Sequence, residues 1–213
     1  FEKDERILCF KDVSKGKLLT VSRTGLVKLT DFEDLDTRKV KIAACGLKDG
    51  DELILAEPLN ENENLLLITQ KGMSILFKKE EISTQGRSGK GVGGIKLSAG
   101  DSVIYAAQTE EDGYVAVFSN NGFAKQSRLS EYEVQGRNGK GLKTFMWAKG
   151  GTNGTRLVSA FYMASPERFM LRTDSGVHKA VSSGDIPTEP RYSKGAVMLM
   201  AVLGDELKTV IKQ

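Results

Sequence analysis

Apolar and β-branched residues along the chain come in short runs that are interrupted by turns containing glycine. The clearest element is a strand, a polar turn that ends in glycine, and a second strand. It occurs four times, at 18–28, 65–75, 115–125 and 168–179. Glycine at this place supplies the positive φ that a tight hairpin turn needs. The turn glycines are 47, 50 and 54 residues apart, so the sequence predicts hairpins repeated about every 50 residues: Gly25, Gly72, Gly122 and Gly176.

A second element recurs later in each unit, where an acidic turn precedes an apolar strand. It begins with Gly-Asp at 50–56, 100–106 and 204–210, and 152–160 is a weaker copy without the Asp. Residues 3–10 are a further copy with no hairpin ahead of it, as if closing an earlier unit. We therefore expect one domain over 1–213 with units at about 1–16 (partial), 17–62, 63–112, 113–164 and 165–213.

Each unit holds about four short strands, and no segment shows a clear helical period of 3.6 residues. One patch, 78–82, is ambiguous and is compatible with a short helical turn. A repeat of this length is typical of blade arrays, in which each blade buries its apolar faces against its neighbours. The sequence predicts an all-β, propeller-like disc of about four to five four-stranded blades. The alternative is a β-sandwich, which would have strands every 8–12 residues without this repeat.

Two units carry nearly the same basic, glycine-rich heptapeptide at the same phase of the repeat. The copies are GlnGlyArgSerGlyLysGly at 85–91 and GlnGlyArgAsnGlyLysGly at 135–141. A third copy at 189–195 keeps Arg191, Lys194 and the final glycine, and the first unit has only a basic stretch at 36–41. We call 85–91, 135–141 and 189–195 the first, second and third basic loops.

These loops have the chemistry of a phosphate-binding surface. We expect their glycines to let the backbone approach a polyanion, while Arg forks onto a phosphate and Lys acts as a point charge. Such contacts position a protein on DNA without reading bases. A nucleotide-binding P-loop is excluded, because Lys90 and Lys140 are followed by Gly and no helix is predicted after them. The predicted DNA contacts in the loops are Gln85, Arg87, Ser88, Lys90, Gln135, Arg137, Asn138, Lys140, Arg191 and Lys194.

Other basic residues recur after the turn glycine or ahead of the loops. If the blades are equivalent, these cations fall on the same part of each blade and add to one basic track along the rim. For any one of them, an ordinary solvated side chain is the competing interpretation. They are Lys28, Lys78, Lys79, Lys125, Arg128 and Lys179.

Composition changes this picture little. The net charge is only +3 over 213 residues, so the argument for DNA rests on where the cations lie. Cys9 and Cys45 lack metal-ligand spacing, which favours reduced thiols in a cytoplasmic protein. No apolar run approaches the roughly 18 residues of a membrane span, and no signal peptide is recognisable. We expect no metal, no cofactor and no membrane contact, and the opening in mid-pattern predicts a fragment of a longer chain.

Catalytic residues are not indicated. The single histidine, His178, follows a turn glycine at a position that is variable in the repeat. The acidic-turn residues Asp51, Asp101 and Asp205 are about 50 residues apart, and we expect them to bond nearby backbone rather than a metal.

The two matched loops resemble the gyrase A box, GlnArgArgGlyGlyLysGly, at five of its seven positions. The hairpins and Gly-Asp strands are also similar to blades of one family over nearly the whole chain. That family is the C-terminal domain of the A subunit of bacterial type IIA topoisomerases, DNA gyrase and topoisomerase IV. The resemblance implies a β-pinwheel whose neighbouring blades exchange strands, with duplex DNA bent around a basic rim.

The resemblance also implies a role and partners. The domain would be non-catalytic and would present DNA for strand passage within an ATP-dependent topoisomerase. Its DNA-breaking tyrosine would lie in a separate N-terminal breakage-reunion domain, and the ATPase B subunit would complete a cytoplasmic, nucleoid-associated enzyme. Gly86 and Gly136 depart from the box, which has Arg there, so a topoisomerase IV role in substrate choice remains an alternative. A protein-interaction propeller is another, and it would show an apolar patch on one face.

Overall fold

The computed structural model describes residues 7–10, 15–39, 41–62, 64–200 and 204–213, and these form an all-β structure. Of the predicted closing strand at 3–10, residues 3–6 lie outside the described residues and 7–10 are not in a strand. The patch at 78–82 contains a 3-10 turn. It is one of four in the described residues: Phe32–Leu35, Lys79–Glu81, Leu129–Glu131 and Ser183–Asp185. The strands are β1 Lys17–Ser22, β2 Leu26–Asp31, β3 Leu53–Pro58, β4 Asn64–Thr69, β5 Met73–Lys78, β6 Val92–Gly93, β7 Val103–Thr109, β8 Tyr114–Ser119, β9 Phe123–Arg128, β10 Leu142–Lys143, β11 Leu157–Met163, β12 Arg168–Thr173, β13 His178–Ser182, β14 Ala196–Val197 and β15 Leu207–Lys212.

The strands form four antiparallel sheets, one for each predicted hairpin. Their orders are β3-β1-β2-β6, β10-β5-β4-β7, β11-β8-β9-β14 and β13-β12-β15. The hairpin forms the centre of the three four-stranded sheets and one side of the three-stranded sheet. In each sheet the strand after the acidic turn pairs with the first hairpin strand. We number these sheets blades 1 to 4. The propeller-like fold predicted from the repeat is confirmed.

The outermost strand of blades 1, 2 and 3 is supplied by the following unit. Val92 of the second unit pairs with Val27 of the first, and Leu142 of the third unit pairs with Ser74 of the second. Ala196 of the fourth unit pairs with Ala124 in the same way. Each donated strand comes directly after a basic loop. The exchange of strands that the resemblance implies is therefore present, and it ties the loops to the boundaries between blades.

The hydrophobic core lies between neighbouring blades rather than inside any one of them. In β4, Leu65 and Leu67 pack toward blade 1, while Leu66 and Ile68 pack toward blade 3. Alternate residues of a strand point to opposite faces, so a blade covered on both sides needs a continuous apolar run. This explains the uninterrupted LeuLeuLeuIle of β4.

Among the residues that the structure describes, blade 4 packs against a neighbouring blade on one face only. Phe169 and Leu171 of β12 pack against blade 3, while Arg168 and Arg172 on the other face are exposed. The alternating sequence of β12 matches this one-sided burial. The sheet of blade 4 also has three strands where the others have four. The hairpin turn of blade 4 is also less crowded than that of blade 2. A Cβ placed on Gly176 would meet nothing within 4 Å, whereas one on Gly72 would lie 3.2 Å from the Cβ of Phe145.

The acidic turns hold the hairpin turns of their own blades. Asp51 accepts hydrogen bonds from the backbone and the hydroxyl of Thr24, at 3.0 and 2.5 Å. Asp205 accepts the same pair from Ser175, at 3.0 and 2.6 Å. The predicted turn-forming role of these aspartates is confirmed. In the third unit, which lacks the Asp, Asn120 of the hairpin instead accepts from the backbone of Thr155.

Candidate nucleic-acid interface

Each basic loop begins on the edge of the preceding blade. The N–H groups of Gln85 and Gln135 donate to the carbonyls of Leu29 and Leu76, both at 2.8 Å. In the third loop the N–H of Glu189 donates to Gln126 at 2.9 Å. The donated strand that follows each loop pairs with the same blade, so both ends of the loop are fixed to it.

Backbone hydrogen bonds also link the basic loops to one another through the segments that precede the acidic turns. The fifth residue of each loop accepts a backbone hydrogen bond from the segment that precedes the acidic turn in the previous unit. The N–H of Lys96 donates to Gly139 at 2.8 Å, just after the first loop and its donated strand. Gly46 donates likewise to Gly89 at 3.0 Å, and Met146 to Ser193 at 2.8 Å. The three basic loops therefore lie in one hydrogen-bonded row.

The final glycine of each loop is required by contact with the preceding blade. Gly91 has φ 87°, and a Cβ there would lie 2.6 Å from the carbonyl oxygen of Val27. Gly141 has φ 72°, and its Cβ would overlap the carbonyl oxygen of Ser74. That the loop glycines also let the backbone approach a polyanion stays a prediction. Their freedom serves the packing of one blade on the next.

The first residue of the loop closes it internally. Oε1 of Gln85 accepts a hydrogen bond from the N–H of Gly91 at 3.0 Å. In the third loop, Oε2 of Glu189 accepts from Gly195 at 3.1 Å. Gln85 and Gln135 are both half-buried. The geometry thus gives Gln85 a structural contact within the loop.

Two of the three loop arginines connect neighbouring units. Nε of Arg137 donates to the carbonyl of Glu81 at 2.9 Å, and Nη1 donates to Gly93 at 3.0 Å. The backbone N–H of Arg137 also donates to the Glu81 carboxylate at 3.0 Å. Arg191 repeats the arrangement with Glu131 and the carbonyl of Lys143. Both guanidinium groups are half-buried and bond backbone carbonyls of the preceding unit.

The acidic residues in this arrangement were missed at the sequence level. Glu81 and Glu131 end the 3-10 turns that follow the hairpins, and Asp34 stands at the matching place in the first unit. Their spacing of 47 and 50 residues repeats that of the turn glycines. This regular spacing is the feature of the sequence that indicates the three acidic residues.

The remaining loop cations are exposed. Arg87 and Lys90 of the first loop, Lys140 of the second and Lys194 of the third all have exposed side chains. Ser88 and Asn138 are exposed beside them, and Asn138 has a left-handed backbone with φ 62°. The N–H of Asn138 donates to Gly94 at 2.6 Å, which fixes the second loop against the first donated strand.

Lys28 and Lys125 do not lie on the surface. Their side chains are 1% and 0% exposed, and their ammonium groups point under the first and third loops. The expectation that they add to a basic track on the rim is wrong. Their strands are buried on both faces, and the matching residue of the second unit, Ile75, is apolar. That apolar counterpart was the signal for burial.

The other predicted cations occupy two different places on the blades. Lys78 and Arg128 are exposed at the ends of β5 and β9, opposite the first residues of β4 and β8. Lys179 is exposed within β13, at the strand position that Lys28 and Lys125 have in their blades, and it donates to the carbonyl of Met198 at 2.6 Å. The cations therefore do not share one part of each blade.

The described residues contain no group of three or more His, Cys, Asp or Glu side chains with the arrangement of a metal site. His178 is exposed on β13. No helix in the described ranges is long and apolar enough to cross a membrane.

Comparison with known protein families identifies the family of this chain. The model of a family described as the DNA gyrase C-terminal domain, beta-propeller, matches residues 16–60, 63–110 and 113–146, which together exceed half of the chain. The chain belongs to the DNA gyrase C-terminal domain family. The resemblance predicted from the glycine-rich loops is confirmed, and with it the assignment to the C-terminal domains found in type IIA topoisomerases of the gyrase and topoisomerase IV kind.

The chain is also similar in sequence to the A subunits of individual DNA gyrases. The A subunit of Helicobacter pylori DNA gyrase is 37% identical over 101 residues, which make up 45% of this chain and 12% of that protein. Its counterpart in Chlamydia muridarum is 34% identical over 94 residues, or 43% of this chain and 11% of that protein. The matching region thus spans about a tenth of the length of these relatives.

Two solved structures share the fold. The C-terminal domain of a DNA topoisomerase IV superposes with a TM-score of 0.90 at 24% identity, covering 100% of this chain and 67% of the other. A DNA gyrase A C-terminal domain gives a TM-score of 0.79 at 21% identity, covering 94% of this chain and 66% of the other. Both likenesses confirm the β-pinwheel.

Proposed function

We propose that this domain binds duplex DNA without base specificity and bends it along the edge formed by the basic loops. It would act as the non-catalytic, DNA-wrapping domain of a gyrase-type enzyme. Membership of the gyrase C-terminal domain family supports the proposal. The observation that carries it is the set of backbone hydrogen bonds that links the three basic loops, each of which has at least one exposed cation.

The chemistry of the row suits a phosphate backbone. Bending a duplex costs several kcal/mol, so many weak contacts must act together and must be held in register. Loops fixed at both ends and linked to each other meet this requirement. The contacts that the geometry favours are Arg87, Lys90, Lys140 and Lys194, with Ser88 and Asn138 as hydrogen-bond donors. Lys78, Arg128 and Lys179 are exposed and would add charge at the sides of the row.

Within the intact enzyme, we propose that the domain presents DNA to the breakage-reunion domain of the same polypeptide, with the ATPase B subunit as a further partner in the bacterial cytoplasm. A topoisomerase IV type of enzyme, in which the domain steers choice of DNA substrate, is the alternative assignment. Writhe trapped in a plasmid by bound protein would favour the wrapping assignment.

Duplex binding measured against salt concentration tests the proposal. We expect affinity for unrelated sequences to be similar and log K to fall against log salt with a slope of about −0.9 per phosphate neutralised. The double variant Arg87→Gln, Lys90→Gln should weaken binding to all sequences and reduce the magnitude of the slope by about 2. A matched control is Arg168→Gln, Arg172→Gln, which removes two exposed charges from the open face of blade 4. Equal losses in both variants, or no duplex binding at low salt, would contradict the proposal.

A further inference from the structure

Lys28 supports the first basic loop from below. Its ammonium group donates to the carbonyls of Gly86 and Arg87, at 3.2 and 3.3 Å, and to the carbonyl of Ala44 at 2.8 Å. An ammonium group has three N–H donors, and these three acceptors match them. The side chain is 1% exposed, so this charge is directed into the loop and away from solvent.

Lys125 has the same place under the third loop. Its ammonium group donates to the carbonyl of Pro190 at 3.3 Å and to Oγ of Ser127 at 2.7 Å. Pro190 is the second residue of its loop, as Gly86 is of the first. Lys28 and Lys125 both stand three residues after a hairpin-turn glycine, in the second hairpin strand. Two units therefore use one buried lysine for the loop of the unit that follows.

The second basic loop provides an internal comparison. The matching residue beneath it is Ile75, which is 1% exposed. Its Cδ1 lies 3.6 Å from the point where a Cβ on Gly139 would stand. The second loop thus rests on an apolar side chain and is held by the guanidinium group of Arg137.

A buried ammonium group needs a reason other than stability, because an apolar side chain of similar size usually serves a core as well or better. Burial lowers the pKa of Lys28, while Cys45 and Asp34 act in the opposite direction. Ile75 shows that this fold accepts an apolar residue at this place. Unlike an apolar side chain, lysine donates hydrogen bonds to particular carbonyls of the loop and places a positive charge directly beneath the loop.

We propose that Lys28 and Lys125 are positioning residues, which hold the first and third basic loops so that their outer cations face DNA. The inference rests on the function proposed above. With the carbonyls of Gly86 and Arg87 turned inward to Lys28, these acceptors point away from an approaching phosphate, and the exposed side chains of Arg87 and Lys90 lie on the outer surface.

Limited trypsin digestion of the Lys28→Met variant tests the inference, because trypsin cleaves after the exposed loop cations. Cleavage after Arg87 and Lys90, followed by mass spectrometry, should become about tenfold faster than in the wild type when the bonds to the ammonium group are lost. Cleavage after Lys140 in the same molecules should not change, since Ile75 supports that loop. Low-salt duplex affinity of the variant should fall although Lys28 itself is buried.

The digestion result is independent of DNA. If the wild type does not bind duplex DNA, the proposed function fails, while the ratio of cleavage in the two loops still reports on Lys28. An unchanged rate after Arg87 and Lys90 would overturn the inference. An equal rise in all loops would indicate general unfolding and would also overturn it. If the variant does not fold, Lys125→Met decides, because Lys125 has the same place under the third loop. Cleavage after Lys194 should then become faster while cleavage after Lys140 stays the same, and an unchanged rate after Lys194 would contradict the inference.

Discussion

Glu81 and Arg137 belong to different repeat units and are joined twice. The Glu81 carboxylate accepts from the backbone N–H of Arg137 at 3.0 Å, and the Glu81 carbonyl accepts from its Nε at 2.9 Å. Glu131 and Arg191 are joined in the same way one unit later. Arg137, a predicted phosphate contact, therefore also connects consecutive blades. The loops combine a structural inner side with a cationic outer side.

This division predicts different effects for two arginines at the same place in their loops. Arg137→Gln should lower the free energy of unfolding by about 1–3 kcal/mol, because its carbonyl partners lose charged hydrogen bonds. Arg87→Gln should leave stability within about 0.5 kcal/mol, because the Arg87 side chain is exposed, and should weaken DNA binding. Urea denaturation and duplex binding of both variants check this. Equal destabilisation by the two substitutions would contradict the division.

The closing glycine of the second loop should tolerate no side chain. Gly141→Ala would force a Cβ onto the carbonyl oxygen of Ser74 in a left-handed backbone, so we expect a loss of about 2 kcal/mol or more. Gly136→Ala is the matched control in the same loop, since the nearest atom to its Cβ would be the Glu81 carboxylate oxygen at 4.0 Å. Thermal denaturation of both variants gives the comparison. A Gly141→Ala protein as stable as the control would show that the donated strand is not held as described.

Restoring the missing arginine of the family motif should strengthen DNA binding. A Cβ on Gly86 would have only the carboxylate oxygen of Asp34 near it, at 4.0 Å, so a longer side chain fits at this exposed position. Gly86→Arg adds one cation to the row, and its duplex affinity should rise while the salt slope becomes steeper by about 0.9. Gly86→Gln controls for side-chain size. An affinity equal to that of the control would show that this place does not face DNA.

The stability of the domain should depend on pH through Lys125. Burial lowers the pKa of Lys125 to about 8, against the raising effects of Glu189 and Glu131, and Arg191 lowers it further. Between pH 8 and the ordinary lysine value the unfolded chain binds more protons, so the free energy of unfolding should rise with pH. Above about pH 10 buried Tyr132, whose pKa is raised to about 12, acts in the opposite direction. Burial also lowers the pKa of Lys28, which both proteins keep, so denaturation from pH 7 to 9.5 should show a steeper rise in the wild type than in Lys125→Met. Parallel curves would refute the assignment to Lys125.

The fold could be predicted from the sequence because the repeat fixes both the strands and their turns. Gly25 and Gly72 mark hairpins whose positive φ the structure reproduces, at 83° and 81°. The acidic turns could be assigned because Asp51 and Asp205 bond residues of their own unit. The hairpin turns and the aspartate contacts both lie within one repeat unit, so a local sequence pattern is enough to predict them.

The inner side of the loops could not be predicted in the same way, because it depends on pairing between units. Nothing near Arg137 in the sequence indicates Glu81, which is 56 residues away. Lys28 is covered by Ala44 of its own unit and by the first basic loop of the next unit, and the only sign of this in the sequence is its apolar counterpart, Ile75. A repeat predicts equivalent places, but strand exchange decides which of them are exposed.

Plasmid topology tests the central proposal most directly. A nicked plasmid is bound by increasing amounts of the domain at low salt, closed by ligase, and freed of protein before its linking number is measured. If the basic loops bend DNA along one edge, the linking number should shift in one direction in proportion to bound protein, and the Arg87→Gln, Lys90→Gln variant should shift it less. Bound DNA whose linking number stays unchanged would contradict wrapping.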